Sequence, residues 1–260
     1  MQAWLNWVID PLTRAIGDAR GYMYIMETVF PTLGVAFSNA LYLSPLPAIF
    51  RAQRLDSINV LNPVPLGLML LNAIGWVAYA LTVENKFVLA SNFFGVPLSV
   101  FYLVSALPLM GDDPRLAQLK AVLVGGATYL AFELTVLSLA VAPDEHAGMM
   151  GCSATAVCIT MFAAPLGTLT DVVRLRSSAS IYAPLTVVQI ANCSLWSVYG
   201  IAVGDVWIWG PNGLGLVLGF CQAGLLFTFP SHGPEESIAI LQDFPPSHSH
   251  RRKGNFASSD

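Results

Sequence analysis

Apolar residues fall in long blocks along this chain, separated by short polar breaks. Seven blocks stand out, at about 29–50, 62–83, 87–110, 117–141, 148–172, 182–203 and 206–229. A helix needs roughly 20 mainly apolar residues to cross about 30 Å of hydrocarbon, and every block reaches that length, so the pattern predicts seven transmembrane helices. Residues 1–28 read differently. Trp4, Leu5, Val8, Ile9, Leu12, Ala15, Ile16 and Ala19 recur at helical spacing, with Asp10, Arg14, Asp18 and Arg20 among the polar positions. That spacing predicts an amphipathic helix lying on the bilayer surface, and no basic segment leads into an apolar core as in a cleaved signal peptide. From 231 to 260 the chain turns to Ser, His, Pro and basic residues with few aliphatics, the composition of a disordered tail.

The polar and aromatic residues inside the blocks carry a second signal. Shifted by 120 positions, Pro45-Leu46 falls on Pro165-Leu166, Arg54-Leu55 on Arg174-Leu175, and Ser57 on Ser177. Asn72, Trp76 and Tyr79 fall on Asn192, Trp196 and Tyr199, and Asn92 and Gly95 on Asn212 and Gly215. Shared apolar composition would match Leu to Val, not Trp to Trp, so residues 29–110 and 147–230 are two copies of a three-helix unit. The span at 117–141, within a connector at 111–146, has no counterpart. Three spans leave the chain on the opposite side of the bilayer, so one extra span is needed before a second copy can start on the same side as the first. The expected fold is an all-α membrane protein of two parallel three-helix bundles joined by a linker helix.

Composition agrees: 55% of residues are hydrophobic and 11% charged, against about 25% charged in soluble domains, and the mean hydropathy is +0.62. The net charge of −4 adds little, because the charges sit in loops. Their distribution does matter. Arg51, Arg54, Arg115, Lys120, Arg174, Arg176, Arg251, Arg252 and Lys253 fall on one side, against Lys86 alone in the other side's short loops and Arg14 and Arg20 in the extension. Basic residues mark the cytosolic side, which puts the amino terminus outside and the carboxyl terminus inside. Cys152, Cys158, Cys193 and Cys221 lie in apolar stretches without paired spacing and read as small buried residues rather than disulfides or metal ligands. No nucleophile–base motif, zinc spacing or phosphate loop is present, so neither an enzyme, a metal, a cofactor nor a nucleic-acid partner is expected.

Three sets of residues could carry chemistry. Pro45, Pro65, Pro165 and Pro184 lie inside or at the cytosolic ends of spans, two per copy. Each removes a backbone donor and bends a helix it interrupts, although Pro65 falls one place past Pro184 under the shift. Asn72 with Trp76, and Asn192 with Trp196, are four apart and share a helix face, while Asn92 and Asn212 are read as starting the third span of each copy. Amides in hydrocarbon need partners, so they either glue helices together or line a wet cavity. In a cavity, amides would suit neutral hydroxyls and indole faces the C–H face of a sugar ring. Glu133, the acidic residue deep in a span, stands in the unrepeated linker and is expected to be packed or hydrogen-bonded.

The 3+1+3 arrangement, these prolines, and the segments "NAIGWVAYA", "NCSLWSVYG" and "PNGLGLVLG" resemble the SWEET family of sugar transporters over about residues 29–230. The resemblance implies uncoupled, bidirectional facilitated diffusion of mono- or disaccharides by alternating access. It implies that Trp76, Trp196, Asn92 and Asn212 clasp the sugar, that the four prolines form a hinge tetrad, and that Tyr79 and Asp205 close an extracellular gate. Leu41, Asn72, Met161 and Asn192 match four size-selecting positions, with the set that goes with hexoses such as glucose; Val and Ser there go with sucrose. It further implies homo-oligomers such as trimers, and a multi-pass protein expected in the plasma membrane. The extension is longer than is usual in the family, the second proline is offset, and the loop between the second and third spans is short. Rival readings are a sucrose facilitator, a seven-helix receptor, which has no reason to carry a parallel repeat, a related carrier for amino acids or protons, which lacks its Pro-Gln turns here, and a scaffold.

Overall fold

The computed structural model describes residues 19–229, and these are helix, turn and loop without a strand. The helices are α1 (Ala19–Tyr24), followed by a π-helical turn (Ile25–Val29), α2 (Phe30–Leu43), α3 (Leu46–Leu55), α4 (Val64–Thr82), α5 (Lys86–Phe93), α6 (Gly95–Ala106), α7 (Arg115–Ala140), α8 (His146–Met161), α9 (Ala163–Leu175), α10 (Ala183–Ala202) and α11 (Val206–Thr228). Among the described residues they make seven spans long and apolar enough to cross a membrane. Six agree with the hydropathy blocks to within a few residues. The first, Gly21–Leu55, starts earlier than expected, because residues 19–28 continue the helix instead of belonging to a separate surface segment. The amphipathic reading of residues 1–18 and the tail reading of 231–260 lie outside the described residues.

Three spans are broken with a proline at the break or three residues past it: the first at Ser44 and Pro45, the third at Phe94 before Pro97, and the fifth at Phe162 before Pro165. Pro45 has no N–H to give Leu41, so Ser44 N–H donates to the Leu41 carbonyl instead, at 3.1 Å, and the helix restarts as α3. The fifth span breaks two residues earlier in the repeat, with Phe162 N–H donating to Ile159 at 3.0 Å, so that Pro165 lies in the first turn of α9. Pro65 and Pro184 break nothing. Each is the second residue of its helix, α4 or α10, where the missing donor would be unpaired anyway. Their one-residue offset in the sequence is absorbed because α10 starts one residue earlier in the repeat than α4.

The backbone repeats as closely as the side chains. Asp56 and Arg176, and Glu84 and Gly204, take the left-handed conformation in pairs related by the same shift. The closing bonds match too: Asn85 N–H to Ala80 at 2.9 Å, and Asp205 N–H to Gly200 at 2.8 Å. In each copy the third span packs between the first and second. Across the copies, α4 packs on α8 and α10 packs on α2. These two contacts are the same contact exchanged between copies, as a pseudo-two-fold axis along the membrane normal requires. The halves beyond the kinks, α3 and α9, pack mainly within their own copies. The two units therefore meet at the end carrying loops 83–85 and 203–205 and are less joined at the opposite end. That opposite end carries Arg51, Arg54, Arg115, Lys120, Arg174 and Arg176, and is called the basic end below.

The linker α7 lies on α4. A Cβ at Gly126 would stand 2.2 Å from Leu71 Cδ1, and one at Gly67 would stand 2.8 Å from Leu119 Cδ1, so glycine lets these helices approach closely. At its start, Arg115 pairs with Asp113 at 2.6 Å and donates to the Leu61 carbonyl at 3.1 Å. Deeper in, Ser153 of α8 donates to buried Glu133, with the Tyr129 hydroxyl 2.7 Å from the same serine. Glu133 is thus packed and hydrogen-bonded, through one of its two oxygens. The cysteines are all free, but only Cys193 is buried and Cys152 and Cys221 are exposed. The expectation of four buried residues holds for Cys193, in part for half-buried Cys158, and fails for the other two, because a span can hide a thiol in lipid without packing it in protein.

Candidate functional site

Between the two copies lies a cavity of about 340 Å³, at the low end of the roughly 300–1,000 Å³ usual for small-molecule sites. Copy one contributes Ser38, Leu41, Tyr42, Met69, Asn72, Trp76, Ser91 and Asn92 to its wall, and copy two contributes Cys158, Met161, Gln189, Asn192, Trp196 and Asn212. Ser44 and Leu185 extend it toward the basic end. No Asp, Glu, Lys, Arg or His is among the lining residues. Such a wall offers amides, hydroxyls and indoles to a neutral polar molecule and no counter-charge to an ion.

Every Asn, Trp, Leu and Met singled out from the sequence lines this cavity. Asn92 and Asn212 do not start their spans as expected. Asn92 is near the end of α5, and Asn212 is well inside α11, a depth of about 9 Å at 1.5 Å rise per residue. Indole and amide pair differently in the two copies. Trp76 Nε1 donates to its own helix neighbour, Asn72 Oδ1, at 3.2 Å. Trp196 Nε1 donates to Ser38 Oγ at 2.9 Å, and Ser38 passes its own proton to Asn192 Oδ1 at 2.8 Å. An indole only donates, so this chain of bonds sets the orientation of Asn192 and turns its Nδ2 away from Ser38.

A turn beyond the tryptophans the cavity is shut. Tyr79 Oη donates to Asp205 Oδ2 at 2.6 Å, and Asn85 Nδ2 donates to Tyr199 Oη at 2.8 Å. The shift that maps Tyr79 onto Tyr199 also maps Asn85 onto Asp205, so the closure joins the same two positions twice, with the tyrosine donating in one bond and accepting in the other. Each capping residue does two jobs. Asn85 Oδ1 accepts from Phe87 and Val88 N–H, and Asp205 Oδ1 from Trp207 and Ile208 N–H, so each starts the next helix while holding the opposite tyrosine. Trp76 meets Tyr79 edge-on at 5.7 Å, and Trp196 meets Tyr199 at 5.8 Å, which joins the closure to the cavity ceiling.

The sequence reading missed five of these residues. Asn85 was one shift away from Asp205, and Gln189 is on the Asn192 face, three residues earlier. Ser38 and Tyr42 sit on the first span, where their partners Cys158 and Phe162 differ in type and gave no repeat signal. Tyr199 was matched to Tyr79 but not assigned to the closure. Of the four prolines only Pro45 stands at a break, Pro165 follows one by three residues, and Glu133 is not in the wall.

Two like helical units around a central polar cavity, shut at one end and kinked toward the other, define a solute carrier built from parallel repeats. The chain matches a family described as "Sugar efflux transporter for intercellular exchange" over residues 28–107 and 148–233, and it belongs to that family, one of sugar transporters rather than enzymes. It is 27% identical over 210 residues to the bidirectional sugar transporter N3 of Medicago truncatula, covering 80% of this chain and 78% of that protein. It is 28% identical over 197 residues to the bidirectional sugar transporter SWEET11 of Arabidopsis thaliana, covering 75% and 68%. In fold it is similar to a solved eukaryotic SWEET transporter, with a TM-score of 0.73 at 23% identity over 81% of this chain and all of that one.

Proposed function

We propose that the protein is an uncoupled, bidirectional uniporter for hexoses, glucose foremost, working by alternating access. The observation that carries this reading is the cavity wall itself: Leu41, Asn72, Met161 and Asn192 all project into one neutral cavity beneath Trp76 and Trp196. Large side chains at those four positions narrow the space and disfavour a second sugar ring. The uncharged wall, with Glu133 outside it, supports movement without a coupled ion. The relatives' printed names support sugar as the cargo and both directions of movement. Basic residues at one end support a cytosolic assignment for that end and an extracellular one for the Tyr79–Asp205 closure. The arrangement described here is then the state closed to the outside. The kinks at Pro45 and Pro165 are the places where α3 and α9 can swing. The plasma membrane is the proposed site of action.

The test is radiolabelled glucose uptake, with sucrose alongside, in cells lacking their own hexose carriers, repeated after the proton gradient is collapsed. Glucose uptake that survives the collapse, with little sucrose uptake, is the expected result. Sucrose outrunning glucose would overturn the size argument. No sugar flux despite surface delivery would leave the asparagines as glue between helices.

A further inference from the structure

The two arms beyond the breaks, α3 and α9, repeat in sequence position but not in how they are held. Copy one braces its arm at the break itself. The buried Tyr102 of α6 donates its hydroxyl to the Tyr42 carbonyl, three residues before Pro45, at 2.8 Å. Tyr42 in turn donates its own hydroxyl to Asn92 Oδ1 at 2.9 Å, and its ring lies against Gly95, where it leaves no room for a Cβ. These contacts tie the end of α2 to the third span on both sides of the Phe94 break. Further along, Phe50 of α3 meets Phe101 of α6 edge-on, with ring centroids 6.4 Å apart. Ile49, Ile58, Leu66, Leu103 and Leu119 then close with Tyr102 into one buried apolar core.

Copy two lacks this brace. Phe162 stands for Tyr42 and carries no hydroxyl, and Gln222 stands for Tyr102 without a side-chain hydrogen bond among the described residues. Thr170 and Cys221 stand for the Phe50–Phe101 pair, and Thr170 turns its hydroxyl back to the Leu166 carbonyl of its own helix at 3.0 Å. At the core positions, Ile58, Leu66 and Leu103 become Ser178, Thr186 and Ala223. Leu119 comes from the linker, which packs on copy one and has no counterpart. As a result α3 buries Ile49 and Ala52, whereas α9 buries Val172 alone among its described side chains.

We infer that α9 is the moving arm of the basic end, that copy one and the linker form one rigid body, and that Tyr102 is the positioning residue that keeps α3 part of it. This rests on the alternating-access reading above. To swing, α3 would have to break the Tyr102 bond, the Phe50–Phe101 contact and part of a core. For α9 there is no such bond or ring pair to break, so the bend at Phe162 is the softer of the two. When the outer closure opens, α9 swings across the mouth of the cavity and shuts it against a stationary copy one. Asp171 lies nine residues past the Phe162 break, about 14 Å along α9 at 1.5 Å per residue. A change of about 20° in the bend, the scale of a proline kink, therefore moves it by about 4–5 Å.

The test is pulsed spin-label distance measurement on the full-length protein in lipid, with the four native cysteines replaced by serine. One label goes on exposed Lys120 of the linker, and the second on exposed Arg51 of α3 or exposed Asp171 of α9, which are the same position of the repeat. Distances are taken in the parent and in Tyr79→Phe, whose outer closure lacks its donor, with and without saturating glucose. Between the two, the Lys120–Asp171 distance should shift by about 4–5 Å and the Lys120–Arg51 distance by less than half as much. Tyr102→Gln, which writes copy two's residue into copy one, should free α3, so that the Lys120–Arg51 shift grows to match the other. A role of Tyr102 in stability alone would leave that distance where it was. Should Tyr102→Gln fail to fold, Tyr102→Phe, which deletes only the hydroxyl, decides it by the same distance. Equal shifts of the two arms with Tyr102 intact, a larger shift of α3 than of α9, no shift of either arm in protein that carries glucose, or an unmoved α3 after the loss of Tyr102 overturns the inference. Absence of glucose flux through the unlabelled parent overturns the transport reading itself, and the inference falls with it.

Discussion

Removing one hydroxyl, in Tyr79→Phe, tests whether the closed end is a gate. Tyr79 Oη and Asp205 Oδ2 are 2.6 Å apart, and hydrogen bonds to a charged group contribute about 1.5–3 kcal/mol. If the bond exists only while this end is shut, losing it shifts the shut-to-open ratio by about 10- to 150-fold, at 1.4 kcal/mol per tenfold. The paired bond from Asn85 to Tyr199 joins neutral groups, contributes about 0.5–1.5 kcal/mol, and predicts a smaller shift of about 2- to 13-fold for Tyr199→Phe. Asp205→Ala is a poorer probe because it also removes the cap on Trp207 and Ile208, at a cost of about 1 kcal/mol. Cys158 reports the opening, since it lines the cavity. With exposed Cys152 and Cys221 replaced by serine, the rate at which a membrane-impermeant maleimide added outside labels Cys158 should rise by about 10- to 150-fold in Tyr79→Phe. It should rise less in Tyr199→Phe. An unchanged rate in Tyr79→Phe, or a larger rise in Tyr199→Phe than in Tyr79→Phe, would refute the reasoning.

Three further outcomes are expected. Glu84 holds a φ of 53° where its counterpart is Gly204, so Glu84→Gly should raise stability by up to about 1 kcal/mol, visible as a higher midpoint in thermal unfolding in detergent. Arg115 holds the Asp113 carboxyl down to about 2. The native value lies below the unfolded one, so the contribution of the pair is complete above about pH 4 and is lost only as pH falls toward 2; acidifying the basic side to pH 5 should leave the protein's melting temperature no more changed than in Asp113→Asn. Glu133→Gln should leave glucose uptake, and its indifference to a collapsed proton gradient, as in the parent, because Glu133 bonds Ser153 outside the cavity; abolished uptake by a folded, surface-delivered variant would make Glu133 part of the transport cycle.

The fold was largely legible because its determinants are local or repeated. Apolar length sets each span, and Pro45, Pro97 and Pro165 stand at the breaks or three residues past them. Trp-on-Trp and Asn-on-Asn matches reveal the second copy, since those residues do not exchange freely as aliphatics do. What hydropathy could not settle was where amphipathic surface becomes span. Tyr22, Met23 and Tyr24 are exposed in the fold, and in a bilayer the same exposure suits either an interfacial helix or the start of a span.

The site was legible in membership but not in state. A repeat tells which positions face the axis, so Asn72, Trp76, Asn92 and their partners were found together. It cannot tell which amides are already used, because that depends on residues where the copies differ. Ser38 reaches Asn192 across 154 residues and Tyr42 reaches Asn92 across 50, and neither has a like-typed counterpart to draw attention to it. The closure was legible by half for the same reason. Tyr79 repeats as Tyr199, but its partner changes from Asp205, which accepts, to Asn85, which donates, so the second bond is invisible to a search for identical residues. Divergence between copies is therefore not noise around a symmetric design. It is where the like positions of a symmetric cavity come to hold unlike hydrogen bonds, and where one of two equivalent closing bonds gains a carboxyl acceptor.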